Sequence, residues 1–402
     1  MRSLVRALAA AAVAGAGVLL PPHAAPAQSA PLPLYPRRDS AQQFDGRPDA
    51  PSRTSPRGGD TTGYWQQRAG YRIIARLDEA REVLMATARL TYVNASPDTL
   101  HELFVHQYLN AFRPGSRWSA TDAREGRVRF QTLGEPASGF QRFTGPPQVD
   151  GVAVRVTYPG APDSTVAHFI LPHPLAPRDS ITVDLAWEAR PSTVLRRQGR
   201  RGRSYDFAQW YPKVAVYDRG GWQPHALVPA GELYGEFGTF DVTLILADDQ
   251  VVGATGVPVE GDPGWARASR RAVGGPTAVR TGAEAYGAVA PGPHVVPSQH
   301  LKLHAGERAV RFLARGVHHF GWSTSPDYRY EGGIYVRQPA RAAPGGRFPV
   351  WDTVPVHVLY RPGDDTTFGG GRAVARTIAA LGWLEHVYGP YGYPQMTVLH
   401  RL

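Results

Sequence analysis

LHELFVHQYLN, Leu100 to Asn110, admits two readings that lead to different folds. As a helix, His101-Glu102 and His106 would echo H-E-x-x-H, in which two imidazoles one turn apart hold zinc beside a glutamate base. That signature needs a spacing of four. Here the histidines are five apart, which on a helix swings the second about 140° from the first. As a strand, the stretch suits its many β-formers, and positions five apart face opposite sides of the sheet. The strand reading prevails, and no metal centre is assigned to this segment.

The neighbouring sequence is of the same kind. VLMATARLTYVN (Val83 to Asn94) alternates, with Leu84, Ala86, Ala88, Leu90 and Tyr92 on one face. GVAVRVTYPG places Val152, Val154 and Val156 on one face before a Pro-Gly turn. VAHFIL (Val166 to Leu171), ITVDLAWEA (Ile181 to Ala189) and FDVTLIL (Phe240 to Leu246) continue the pattern. Short runs of period two between Pro, Gly and Asp turns predict an antiparallel, mainly β region from Tyr64 to about residue 300. No internal repeat is present.

The character then changes. ERAVRFLARGVHHFGW (Glu307 to Trp322) reads as a short helix running into a loop or strand, and VPVHVLYRP (Val354 to Pro362) as a strand. GRAVARTIAALGWLEHVYG carries Val374, Ile378, Leu381, Leu384 and Tyr388 at helical spacing and stops at Gly389-Pro390. MTVLH (Met396 to His400) begins another strand. Strand, helix, strand: a second domain has started, and Val356, Val358, Met396 and Val398 call for sheet neighbours.

The N-terminus has a different logic. Arg2 and Arg6, the apolar run Ala7 to Leu20 and the small residues Ala25-Pro26-Ala27 predict a signal peptide over residues 1–27. The run is shorter than the ~20 residues a spanning helix needs, and Pro21-Pro22 ends it. The expectation is export to the periplasm or beyond, with no integral membrane segment after cleavage. Residues 28–62, rich in Pro, Ser, Arg and Asp, predict a disordered linker.

Composition removes several chemistries. With no cysteine, thiol catalysis, Cys-ligated zinc, iron–sulfur clusters and disulfides are excluded. The formal charge of +10 invites a nucleic-acid partner, yet Lys213 and Lys302 are the only lysines and the arginines are spread along the chain. No nucleic-acid binding is expected. The dense group Arg196, Arg197, Arg200, Arg201 and Arg203 sits in a Gly-containing loop and reads as solvated.

The other candidates for chemistry fail on spacing. His318-His319 diverge on any regular element, and His386 and His400 lack ligand partners at a useful spacing. Gly369 to Arg372 (GGGR) lacks the Lys-Ser/Thr of a phosphate cradle, and Asp364-Asp365 lie in turn-like sequence. There is no G-x-S-x-G elbow.

Four ordered stretches nevertheless resemble one family, the aminopeptidase N-like zinc metallopeptidases (gluzincin aminopeptidases), in a bacterial exported branch. They are YRIIARLDEAREVLMATARLTYVNASPDTLHELFVHQYLNAF (Tyr71 to Phe112) and FAQWYPKVAVYDRGGWQPH with GELYGEFGTFDVTLILADDQVVGATG (Phe207 to Gly256). FLARGVHHFGWSTSPDY (Phe312 to Tyr328) and YGPYGYPQMTVLH (Tyr388 to His400) follow. The resemblance implies an N-terminal antiparallel β-sandwich or saddle domain over residues 63–345. After it come the first strands and helix of an incomplete thermolysin-like α+β peptidase domain, residues 346–402. It implies zinc in the full-length relative and peptide substrates, with H-E-x-x-H beyond Leu402; no catalytic or metal-binding residue carries over to this chain, which alone is expected to be inactive. One substrate contact carries over, Gln209 in FAQWYP; a structural hydrogen bond is the other reading of that residue. Trp210, Tyr211, Trp222 and Tyr234 read as core or interface aromatics. A non-catalytic β-rich module binding peptides or envelope components is the alternative.

Overall fold

The computed structural model describes residues 65–230, 233–282, 301–337 and 351–402. The signal peptide and linker expected over residues 1–62 lie outside the described residues. In chain order the first elements are β1 (Arg68–Asp78), β2 (Val83–Val93), β3 (Leu100–His106), a 3-10 turn at Tyr108–Ala111, and α1 (Arg117–Arg124). β4 (Phe140–Phe143), β5 (Gln148–Val149), β6 (Val152–Ala153), β7 (Val166–Leu175), β8 (Ser180–Arg190), β9 (Gly199–Arg201) and β10 (Ser204–Phe207) follow. Next come β11 (Lys213–Val214), β12 (Val216–Asp218), β13 (Gly221–Gln223), β14 (Gly238–Ala247), β15 (Val251–Ala254), β16 (Val257–Glu260) and α2 (Trp265–Ser269). The last are β17 (Glu307–Val317), β18 (Trp322–Ser325), β19 (Arg329–Val336), β20 (Thr353–Tyr360), α3 (Arg372–Tyr388) and β21 (Met396–Leu399).

The chain is mainly β, built from several sheets with mostly antiparallel pairing. The largest runs β16-β17-β14-β1-β2-β8-β5-β6, with β4 also on β8. Its centre is the β1–β2 hairpin, paired from Arg68↔Val93 to Asp78↔Val83. Period-two patterning turns Tyr71, Ile73, Ala75 and Leu77 of β1 inward together with Leu84, Ala86, Ala88, Leu90 and Tyr92 of β2. One pair departs from the antiparallel expectation: β1 and β14 run parallel, with Tyr71 beside Phe240. Those rings stack at 5.0 Å, and Tyr211 meets both edge-on. This aromatic knot supplies the packing that stabilises the parallel junction.

The opening stretch is a strand. β3 pairs with β7 and β11, His101 is exposed and His106 buried, and the chain then tightens into the 3-10 turn. Two expectations need correction. Glu307 to Val317 is a strand with no helical start, because its register against β14 buries Val310, Phe312 and Ala314. GVAVRVTYPG is only briefly extended: β6 is two residues long, Val152 is exposed, and Val154 reaches the core from irregular chain.

The C-terminal elements form a three-stranded sheet, β19-β20-β21, backed by α3. β20 and β21 are parallel with Val356↔Met396 and Val358↔Val398, so those four residues are one another's neighbours. β19 comes from before residue 345 and its partners from after it. This sheet is seated on the larger body through Leu399, Leu359, Tyr330, Trp265 and Val251. Gly253 permits the approach, since a β-carbon there would lie 2.3 Å from Leu399 Cδ2. One face of α3 is covered through Val374 and Leu381, while Trp383 and Tyr388 are 62% and 80% exposed.

Candidate functional site

The backbone at Gln209 decides where a site can form. β10 pairs with β9 and β18 and ends at Phe207, and Gln209 then takes φ +55°, uncommon for a non-glycine residue. This reversal sends Trp210 and Tyr211 into the core. Trp210 donates from Nε1 to the Phe320 carbonyl at 2.9 Å and accepts from Trp187 Nε1 at 3.1 Å. Both rings are fully packed, in keeping with a core role. Trp222 is partly buried against Tyr92, Phe104 and Tyr217, and Tyr234 donates its hydroxyl to Asp218.

Gln209 itself is held at the surface of a recess. It is only 7% exposed, and what remains accessible faces the recess. The recess, about 340 Å³, has an apolar wall that includes Trp118, Leu227 and Pro229, with Arg196, Arg197 and Arg401 among its other lining residues. A second cavity of about 420 Å³ lies beside it between β10, β15, β18 and the Tyr391–Arg401 segment. Arg197 and Arg401 line both.

A polar chain ties the walls together. Buried Asp206 accepts from Ser323 Oγ at 2.5 Å and from the Leu402 amide at 2.7 Å. Ser323 also meets the Tyr328 hydroxyl at 2.6 Å, which donates to the His400 carbonyl at 3.2 Å. Burial, reinforced by the Asp206 charge, pushes Tyr328 up to about 12, so it stays a neutral donor. Among the described residues no imidazole contacts Ser323, so the hydroxyl has no general base and joins β10 to β18 as a crosslink. Gln395 adds a second tie, donating to the Gly256 carbonyl at 2.7 Å.

The arginine group expected to be one solvated loop divides. Arg200 is buried and meets Glu82 and the Pro136 carbonyl, while Arg203 bridges Glu79 and Asp249. Arg196 and Arg197 line the recess instead. Sequence reasoning missed Asp206, Ser323, Tyr328 and Arg401, because nothing in their local spacing signals that they meet.

Other titratable groups lie outside the lining of both cavities. Burial lowers Lys213 to about 7 and raises Glu236 to about 7; Lys213 Nζ donates to the His318 carbonyl at 2.5 Å. Burial likewise lowers His106 to about 3 and His319 to about 2. His318 and His319 stand ring to ring at 4.4 Å. His400 and Asp364 approach to 3.2 Å, and Asp365 pairs with Arg329. Among the described residues no group of three or more His, Asp and Glu side chains is placed to hold a metal ion. These residues do not fit zinc.

No protein-family model and no curated protein matches this chain. Among solved structures it is similar to an M1 zinc metallopeptidase from Deinococcus radiodurans, at 14% identity and TM-score 0.44 over 83% of this chain. A variant of that Deinococcus radiodurans enzyme bound to a Tyr-Ser-Ala substrate gives 14% identity, TM-score 0.44 and coverage of 83% and 56% of the two chains. A two-domain M1 variant bound to L-arginine gives 13% identity, the same TM-score and the same coverages. The aligned part spans 55% of the first of these chains.

Proposed function

We propose that this chain is the β-rich N-terminal portion of an exported zinc-dependent aminopeptidase, with the zinc-binding H-E-x-x-H helix encoded after Leu402. The observation that supports this reading is where the four resembling stretches lie. Tyr71–Phe112, Phe207–Gly256, Phe312–Tyr328 and Tyr388–His400 are distant in sequence, yet they pack into one body around the double cavity. β1 joins β14, β14 joins β17, and β10, β15 and β18 share a sheet. Tyr393 donates to the Gly316 carbonyl at 2.9 Å, and Gln395 reaches Gly256.

In that reading the chain supplies a wall and the start of the peptidase sheet. Zinc held by the later helix would polarise the scissile carbonyl and activate water. Gln209 would lie on the wall facing a peptide, and α3 with β20 and β21 would form the base on which the later helices rest.

The test is the reading frame beyond codon 402, followed by assay of its whole product. An H-E-x-x-H segment with chelator-sensitive release of N-terminal residues from peptides is the expected result. A stop codon at position 403 in gene and transcript, with the 402-residue chain exported and stable, would remove the peptidase reading in favour of a binding module.

A further inference from the structure

We propose that the outer face of the large sheet is a binding groove for an acidic saccharide, whose carboxylate pairs with Arg72 and whose hydroxyls meet the polar side chains around it. This site needs no zinc and stands apart from whether a longer protein cleaves peptides.

The groove follows from strand register. On the face of the sheet turned away from the core, one row reads Asp241, Arg72, Arg89, Asp184 across β14, β1, β2 and β8. The next row on that face reads Thr243, Ile74, Thr87, Ala186. Both rows line a cavity of about 490 Å³, with Pro146 and Gln148 also in its lining, a size suited to a small ligand.

Three observations say what would fill it. First, the carboxylates are engaged and one cation is not. Asp184 holds Arg89 through both oxygens at 2.7 and 2.8 Å, and Asp241 holds Arg311 likewise at 2.7 and 2.9 Å. Arg72 has no hydrogen bond or ion pair among the described residues. It stands directly opposite Arg89, a like-charge pair that destabilises the sheet unless an anion lies between the two guanidinium groups. Second, the polar groups beside Arg72 are open to a ligand. Neither the Thr87 and Thr243 hydroxyls nor the Gln148 amide bonds to another described residue. With the remaining lone pairs of Asp184 and Asp241 they offer both donors and acceptors, as a ring of hydroxyls requires. Third, the backbone takes no part. β1, β2, β8 and β14 each have a strand on both sides, so their main-chain groups are used within the sheet. An extended peptide would need a free strand edge for its main chain, and this face presents none. A polyhydroxylated anion can be read by side chains alone.

The experiment is calorimetric titration of the full chain at neutral pH with tetragalacturonate, its methyl ester, inorganic sulfate and poly-L-glutamate. The expected result is saturable binding of the acid, weakened about tenfold or more in the neutral ester, since a charge-assisted bond is lost. Arg72→Gln should weaken the acid by a similar factor and leave the ester unchanged. Arg201→Gln, at an exposed position of β9 outside the groove, should change neither. Thr87→Ala should weaken both ligands by a smaller factor, with unchanged circular dichroism as the control for folding. Equal affinity for acid and ester, or full affinity in the Arg72→Gln chain, would overturn the proposal. Sulfate binding as tight as the saccharide would reduce the groove to a patch of charge, and tighter binding of poly-L-glutamate would assign it to an acidic peptide. Either outcome overturns the saccharide site, as does an absence of saturation by the acid.

Discussion

The β1–β2–β14 sheet and the small β19–β20–β21 sheet use the same strand chemistry to different extents. In the first, every inward position meets another layer, and Leu90, Tyr92, Val242 and Leu244 are fully buried. In the second, Val356 and Val358 are equally buried, but α3 covers that sheet with one face only. Trp383, Leu384, Val387 and Tyr388 remain exposed on its last turns. Burial, and not residue type, is what separates a stabilising aromatic from a neutral one, because the hydrophobic contribution follows the area removed from water.

That contrast can be broken experimentally. The largest effect is expected for Trp187→Ala. The indole is 1% exposed and also holds the Trp210 carbonyl, so a loss of about 3–5 kcal/mol should appear in urea unfolding. A loss below about 1 kcal/mol would mean that the large sheet is not the stabilising body. Next comes Glu385→Ala. This carboxylate binds Arg337, accepts from the Tyr335 hydroxyl and the Tyr391 amide, and so ties α3 to β19 and to the chain after the helix. Leaving Arg337 buried and unpaired should cost about 3 kcal/mol and open α3 to protease before the rest of the chain. Burial opposes the Glu385 charge, but the bonds from Arg337, Tyr391 and Tyr335 outweigh it and hold the carboxyl below its ordinary value. Its contribution is therefore complete above the ordinary glutamate range and lost as pH falls through the lower folded value.

A smaller effect is expected at His106. Burial, helped by the Lys213 charge, lowers it to about 3, so the unfolded chain takes up the proton first as pH falls below 6.5. The stability associated with the neutral ring is complete above about pH 6.5 and drains away toward pH 3. Both ring nitrogens lack partners among the described residues, and the ring stacks on Tyr108 at 4.5 Å. His106→Phe should keep the stack and flatten the fall in the urea midpoint between pH 6.5 and 4.5; an unchanged slope would mean that His106 does not titrate there. The smallest effect belongs to Trp383→Ala, within about 0.5 kcal/mol on the isolated chain. A larger loss would show that the outer face of α3 is packed and would erase the comparison.

Much of the mainly β character was legible because period-two patterning is local. Leu84 to Tyr92 and Ile181 to Ala189 form strands where their alternation placed them, and α3 ends at Gly389 where its Gly-Pro stop stood. The helix expected at Glu307 failed because AVRFLA satisfies both periods, and pairing with β14 chose between them. Gln209 was singled out through resemblance alone, and the structure places it in the lining of a recess. The other lining residues Arg401, Leu402, Trp118 and Leu227 are as much as 284 residues apart in the chain, and no spacing rule links them.

The sequence by itself determined the strand periodicity, the helical stripe of α3, the absence of thiol chemistry and the failure of His101 and His106 to form a zinc pair. Each of these depends on residues within a turn or two of one another. Tertiary structure alone decided the parallel junction of β1 with β14, the division of the arginine group into structural ion pairs and recess-lining cations, and the burial that drives His106 and Lys213 toward neutrality. Those outcomes depend on which distant surfaces exclude water from a given side chain, and that is settled only when the sheets pack.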